Sequence, residues 1–430
     1  MATFNGNSGN NRLVAGPEND LIFGHGGNDE LHGLDADDTL HGGDGADLLF
    51  GGANGDDSLD GGPGNDEIHG VWETDKIWGG DGDDEMFGGK TGDDVLYGDG
   101  GNDRIYAGGC RDLSAVNTAY GGDGKDHVGG DCGTDKLYGD LGEDLIWGGH
   151  GDDFCWGGEG RDDVGGNQGD DVLYGDTGND IIVGAQQQDD CYGGSGKDKV
   201  NGSTGDDRVY GGDGNDQISG GAGNDVLFPG AGRDYVNGNR GDNTVSFADL
   251  PGTKGVSINI AGKSYGKAAR GDDIRNVDNV VGSENRDHLT PSKGGFAYGG
   301  GGSDVIRSEA GAVMRGDAGR DRLIGDAKKK HKDVFWVESD DVIVKFDKGQ
   351  DSLKMDGSKV GVGKTLGGAG EILNRSSGHE ASGSGSQFIY DQSSKTLWYD
   401  SDGTGSGNAV KVATFKGGPD SLGASDFDLI

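Results

Sequence analysis

One nine-residue unit, G-G-x-G-x-D-x-U-x with U apolar, repeats almost without interruption from about Gly6 to Ser246. Well-formed copies read Gly42-Gly43-Asp44-Gly45-Ala46-Asp47-Leu48-Leu49-Phe50 and Gly211-Gly212-Asp213-Gly214-Asn215-Asp216-Gln217-Ile218-Ser219. A period this short and strict excludes an ordinary globular core, because each unit holds one inward apolar residue and contacts only its neighbours. The glycines let the backbone turn through φ > 0 and present its carbonyls. The Asp supplies a hard anionic oxygen, and x-U-x reads as a three-residue strand with U pointing inward. Turn, strand and metal ligand are combined in one unit.

Phased on the glycine before each turn, the units start at 6, 15, 24, 33, 42, 52, 61, 70, 79, 89, 98 and 107, then resume at 121 and run every nine residues to 238. The Asp position is filled by Asp29, Asp47, Asp66, Asp84, Asp103, Asp126, Asp135, Asp144, Asp153, Asp162, Asp171, Asp180, Asp198, Asp207, Asp216, Asp225 and Asp234, while Asn11 and Asn243 end the series. The U position holds Leu31, Leu49, Ile68, Ile105, Leu137, Ile146, Leu173, Ile182, Val209 and Leu227. A thin inner core of this kind predicts a flattened parallel coil.

About two dozen such copies resemble the calcium-binding nonapeptide repeats of RTX proteins. The resemblance implies an all-β, right-handed parallel β-roll in which two nonapeptides make one coil and alternate units stack into two columns of turns. A C-terminal β-rich cap is expected to follow. It also implies multiple Ca2+ ions between neighbouring turns, held by Asp carboxylates and backbone carbonyls, a donor set suited to a cation that takes six to eight oxygens. The expected ligands are the Asp residues above together with Asp304 and Asp321 of a second array, and the carbonyls of Gly42, Gly61, Gly79, Gly121, Gly157, Gly193 and Gly211.

The two columns differ. The one starting at 24, 42 and 61 keeps Gly at the fourth position of every turn, whereas Ala36, Glu73, Cys110 and Gln187 replace it in the other. The second column also carries one-residue insertions near Gly51 and Gly88 and a larger one around 113–119, so firm calcium sites are expected in the first column and gaps in the second. Its ninth position reads Trp78, Tyr97, Tyr120, Tyr138, Trp156, Tyr174, Tyr192, Tyr210 and Phe228, one outward aromatic per coil. Two readings stand for this ladder. The rings either stabilise their own sheet by cross-strand stacking or form a surface for a glycan, a protein or self-association. The opposite sheet is expected to present mostly polar or small residues, such as Glu67, His69, Gly129, Gly165, Lys199 and Asn201.

Composition sharpens the function class. Asp plus Glu total 77 against 37 Lys plus Arg, for a net charge of −40, and 95 of 430 residues are Gly. So polar and acidic a chain predicts disorder unless cations neutralise it, and it makes nucleic acid an unsuitable partner. No apolar run is long enough to span a membrane, and residues 1–6 lack a basic region followed by an apolar stretch, so no N-terminal secretion signal is expected. Cys110 and Cys132 fall in successive turns, where a disulfide is geometrically possible, while Cys155 and Cys191 occupy inward positions two coils apart, too far to bridge.

The expected organisation is a main roll over 1–246, connector strands over 247–281, a second short array with closing strands over 282–350, and a cap and export region over 351–430. The ending Asp426-Phe427-Asp428-Leu429-Ile430 resembles uncleaved C-terminal export signals, so the resemblance implies the type I secretion machinery as a partner and a secreted or cell-surface location. Gly361-Val362-Gly363-Lys364-Thr365 lacks the first glycine of a phosphate loop, and the Arg-Gly-Asp triplets at 240–242, 270–272 and 315–317 follow from composition. The basic run Lys328-Lys329-Lys330-His331-Lys332 reads as a solvated loop. No His-Glu-x-x-His helix or nucleophile elbow is present. The expectation is therefore a calcium-dependent structural or binding protein and not an enzyme. The alternatives are a host-directed effector and a polysaccharide-active β-helix enzyme.

Overall fold

The computed structural model describes residues 1–111, 113–250, 255–260, 266–267, 271–326, 331–338, 340–355, 372–375, 387–400 and 409–429. Lys328, Lys329, Lys330, Arg270, residues 361–365 and Ile430 lie outside them. The chain forms two compact units, Met1–Asp234 and Tyr235–Ile430.

In the first unit each x-U-x triplet is the start of a strand, and successive strands alternate between two parallel sheets. One sheet runs from Thr3–Asn7 through Leu21–Gly26, Thr39–Asp44 and Lys76–Asp81 to Arg208–Gly214 and Val226–Phe228. The other runs from Arg12–Val14 through Glu30–Asp35 and Leu145–His150 to Gln217–Ala222. Pairing brings together residues one coil apart, as in Leu21↔Thr39 and Lys199↔Gln217. The architecture is the all-β parallel roll that the repeat predicts.

The inward U residues make the core: Ile22, Leu31, Leu40, Leu49, Ile77 and Leu173 are all fully buried. Cys155 and Cys191 occupy two such positions as buried free thiols. Two small aliphatic groups per coil bury little apolar surface against the entropy of ordering a glycine-rich backbone. The stabilisation has to be sought in the turns.

Three details correct the sequence phasing. Gly51 and Gly88, not Gly52 and Gly89, take the first turn position, since it is on them that an added Cβ would meet the Asp57 and Asp94 carboxylates. The extra residue is absorbed inside each turn, and Leu34 and Asp35 mark the resulting register shift. The larger insertion ends before Thr118, because Thr118–Gly124 is a regular strand paired with Val95–Gly101.

In the second unit parallel coils continue with less regular spacing. One sheet pairs Thr244–Ser246, Asn279–Val281, Phe296–Tyr298, Val313–Arg315, Val334–Trp336, Ser352–Met355 and Phe427–Leu429 in that order. The other pairs Ser257–Asn259, His288–Thr290, Val305–Arg307, Arg322–Ile324, Asp341–Val344 and Val410–Lys416, then turns antiparallel through Thr396–Asp400 and Gln387–Asp391. Antiparallel strands change the direction of the ladder and cover the end of a parallel stack. Tyr390 anchors this region: its ring is buried and its hydroxyl donates to the Pro419 carbonyl at 2.8 Å.

Candidate calcium sites and the outer ladders

The Asp before each x-U-x strand points into the turn, not outward. Its Oδ1 accepts the backbone N–H of the Asp one coil earlier. In one column this runs Asp126→Asp144→Asp162→Asp180→Asp198, at 2.8–2.9 Å per step. In the other, Asp135→Asp153→Asp171 repeats it at 2.8 Å. Each rung is a charge-assisted hydrogen bond that aligns one turn on the next.

The second carboxylate oxygen has no partner. Oδ2 of Asp29, Asp47, Asp66, Asp84, Asp103, Asp126, Asp135, Asp144, Asp153, Asp162, Asp171, Asp180, Asp198, Asp207, Asp216, Asp304 and Asp321 is buried without a hydrogen bond. These are the ligands expected from sequence. Asp38, Asp57, Asp75, Asp94 and Asp189 share the same orphaned oxygen, although they are not among the expected ligands and their turns have lost a glycine or carry an insertion. The usable signal was the D-x-U-x register itself, which these positions keep.

Burial raises many of these carboxyl groups. Desolvation, the largest cause, takes Asp75, Asp94, Asp103, Asp153 and Asp189 to about 8, and Asp66, Asp84, Asp144 and Asp180 to about 7. Backbone N–H donors oppose the rise, and neighbouring Asp charges add to it. A column of buried, half-satisfied carboxylates is costly unless positive charge enters.

The position-one glycines show where hard oxygens converge. A Cβ on Gly121 would lie 2.6 Å from Asp126 Oδ2 and 2.7 Å from the Gly139 carbonyl oxygen. On Gly157 it would lie 2.6 Å from Asp162 Oδ2 and 2.8 Å from the Gly175 carbonyl. No side chain fits, and each place gathers a carboxylate from one turn with a carbonyl from the next coil. Among the described residues no three His, Cys, Asp or Glu side chains form a metal-holding group, so a cation here takes the rest of its oxygens from the backbone. An all-oxygen set of Asp and carbonyl donors fits calcium.

Matches to the RTX calcium-binding nonapeptide repeat (4 copies) cover residues 5–113, 129–164, 165–200, 192–227, 230–245 and 296–314, more than half of the chain. The chain belongs to the RTX calcium-binding repeat family. It is a calcium-binding β-roll, and its turns take multiple Ca2+ ions. No curated protein matches it. Among solved structures, a hyperactive, Ca2+-dependent, β-helical antifreeze protein from an Antarctic bacterium is similar at 17% identity over 75% of this chain and 83% of that one. The TM-score of that match is 0.25.

The turn columns of this RTX roll differ less than their sequences. Ala36, Glu73 and Gln187 adopt φ of 76°, 68° and 76°, on the positive side like the glycines this column keeps at the same position. These three turns thus keep a positive-φ backbone at a strain of about 1–2 kcal/mol per replaced glycine.

On the outer face, Trp78, Tyr97, Tyr120, Tyr138, Trp156, Tyr174, Tyr192, Tyr210 and Phe228 stack with centroids 4.2–5.7 Å apart and interplanar angles of 2–11°. Their faces are spent on one another, so solvent meets ring edges. A sugar ring stacks on an open aromatic face, and this ladder offers almost none. The opposite sheet corrects expectation, because His32, Phe50, His69, Phe87 and Tyr106 form a second stack at 4.7–5.1 Å. That ladder ends at Gly129, whose side-chain space is filled by Trp147. In the second unit the outer row alternates aromatic and cationic groups: Arg315 lies 5.9 Å from Tyr298 and 5.5 Å from Trp336, and Lys354 lies 5.7 Å from Trp336.

Proposed function

We propose that this protein is a secreted RTX β-roll whose folding is switched on by extracellular calcium, and that it serves a structural or binding role at a cell surface or in a matrix. The observation that carries the reading is the column of buried Asp Oδ2 atoms without partners. With the carboxylates ionised and uncompensated, like charge and glycine entropy favour the unfolded chain. Bound Ca2+ supplies positive charge and a demand for oxygen ligands, and about two dozen ions would bring on the order of +40 to +50. A chain that is unfolded in a calcium-poor cytosol and folded outside suits export through the type I machinery.

The outer row supports contact through ring edges and the apolar residues beside them, including Val95, Val172 and Phe154, the last 36% exposed. The test is a titration of chelator-treated protein with Ca2+, followed by far-UV circular dichroism with Mg2+ as control. A cooperative coil-to-β transition with Ca2+ alone supports the reading. A chain that is folded in chelator, or indifferent to calcium, overturns it.

A further inference from the structure

One interior turn of the first unit lacks the inner anion. Asn117 stands in the Asp column, its Oδ1 accepting the Asp94 N–H at 3.0 Å. Its backbone N–H and its Nδ2 both donate to Asp135 Oδ1, at 3.1 and 2.9 Å. The rung is preserved, but the atom that is an orphaned oxygen in Asp94 and Asp135 is here an amide NH2 with an acceptor of its own. Its Nδ2 sits against Gly108 as the carboxylate of Asp94 sits against Gly88. An NH2 group presents positive hydrogens and cannot ligate a cation.

The same turn carries the long insertion. Asp94 to Asn117 spans 23 residues, where the next step, Asn117 to Asp135, spans 18, so five residues are added. The added loop is tied covalently to the following turn by the Cys110–Cys132 disulfide, with Cα atoms 5.0 Å apart. It is also tied to earlier turns, since Arg111 lies 5.1 Å from the Trp72 ring that Lys90 covers at 4.8 Å. Cys132 is 2% exposed, whereas Cys110 is exposed and open to thiol exchange.

We propose that the Cys110–Cys132 disulfide replaces, at this turn, the cation clamp that the Asn117 amide removes, so that this stretch of the roll is locked by oxidation and the rest by calcium. The proposal rests on the reading that the orphaned Asp oxygens hold Ca2+. Forming the bond joins two Sγ atoms and breaks two S–H bonds. Two electrons and two protons pass to a small-molecule disulfide, which leaves as two thiols. A redox-sensitive joint is thereby set inside a calcium-dependent solenoid, where a break affects only nearest-neighbour coils.

The test uses the full chain in saturating Ca2+, with hydrogen exchange read by mass spectrometry and bound calcium counted by native mass spectrometry. Four samples are compared: wild type before and after phosphine reduction, the double variant Cys110→Ser/Cys132→Ser, and that variant with Asn117→Asp added. Losing the disulfide is expected to speed exchange over 107–135 by about tenfold or more, to leave 157–222 unchanged, and to leave the calcium count at the wild-type value. Adding Asn117→Asp is expected to raise the count by one ion and restore protection. Unchanged exchange at 107–135 after reduction, exchange lost equally along the roll, or an Asn117→Asp variant that gains no calcium would each overturn the proposal. A wild type that binds no calcium would instead sink the reading beneath it, and the count separates the two failures.

Discussion

The backbone N–H of Asp144 donates to Oδ1 of Asp162 at 2.8 Å, while the Oδ2 of the same Asp162 is buried with no partner. One carboxylate thus spends one oxygen on the next turn of protein and leaves the other for a cation.

Proton and calcium compete for that second oxygen, and the pKa shifts give the sign. Burial raises Asp75, Asp94 and Asp153 from 3.8 to about 8, and Asp126 and Asp171 to about 6. In the metal-free chain, stability from these groups is fully present below about pH 4 and is lost as pH rises through 6 to 8. Chelated protein is therefore expected to gain β-structure on acidification from pH 8 to pH 5 by circular dichroism. Calcium binding runs the other way, so the Ca2+ midpoint should rise as pH falls below 6. A metal-free chain with pH-independent order would refute both halves.

Asp180→Asn should reproduce the chemistry of Asn117 inside the regular column. The Asp162 N–H keeps its Oδ1 acceptor, now 2.9 Å away, but the cation loses a ligand. Native mass spectrometry is expected to show at least one Ca2+ fewer, with a weaker folding midpoint. Asp206→Asn is the control, because Asp206 lies outside the inner column and uses Oδ1 to accept the Asn224 N–H at 2.6 Å, which Asn also does. Its calcium count should match wild type.

Glycine substitutions separate the cradle from simple backbone strain. In Gly121→Ala the new methyl would occupy the space between Asp126 Oδ2 and the Gly139 carbonyl, so calcium affinity and folding should fall together. Gly294 has φ of +81° but nothing within 4 Å of an added Cβ. Gly294→Ala is expected to cost about 1 kcal/mol of stability from the left-handed backbone alone, with calcium stoichiometry intact by titration calorimetry.

Tyr174→Ala should destabilise the calcium-loaded roll without removing a calcium ion. The ring stacks on Trp156 at 5.7 Å and on Tyr192 at 4.7 Å. At about 0.5–1.5 kcal/mol per aromatic pair, the expected loss is about 1–3 kcal/mol by thermal melting in excess Ca2+. An unchanged melt would mean that the stack contributes nothing to its own sheet and would leave contact with a partner as its use.

The period alone determined the coil, the inward U residues and the Asp register, because a nine-residue repeat with one apolar position can bury that position only by stacking on itself. It also located the ring ladder, since residues eighteen apart in such a coil must meet, as Tyr192 and Tyr210 do at 4.4 Å. Tertiary structure decided what depends on neighbours in space. Ala36 and Gln187 look like lost turns in sequence yet hold a positive φ of 76°, a backbone that local sequence alone does not favour. His32, Phe50 and His69 read as scattered residues until the sheet register placed them in one stack. The match between Asn117 and the Cys110–Cys132 bond likewise emerges only where the insertion closes and the two turns lie against each other.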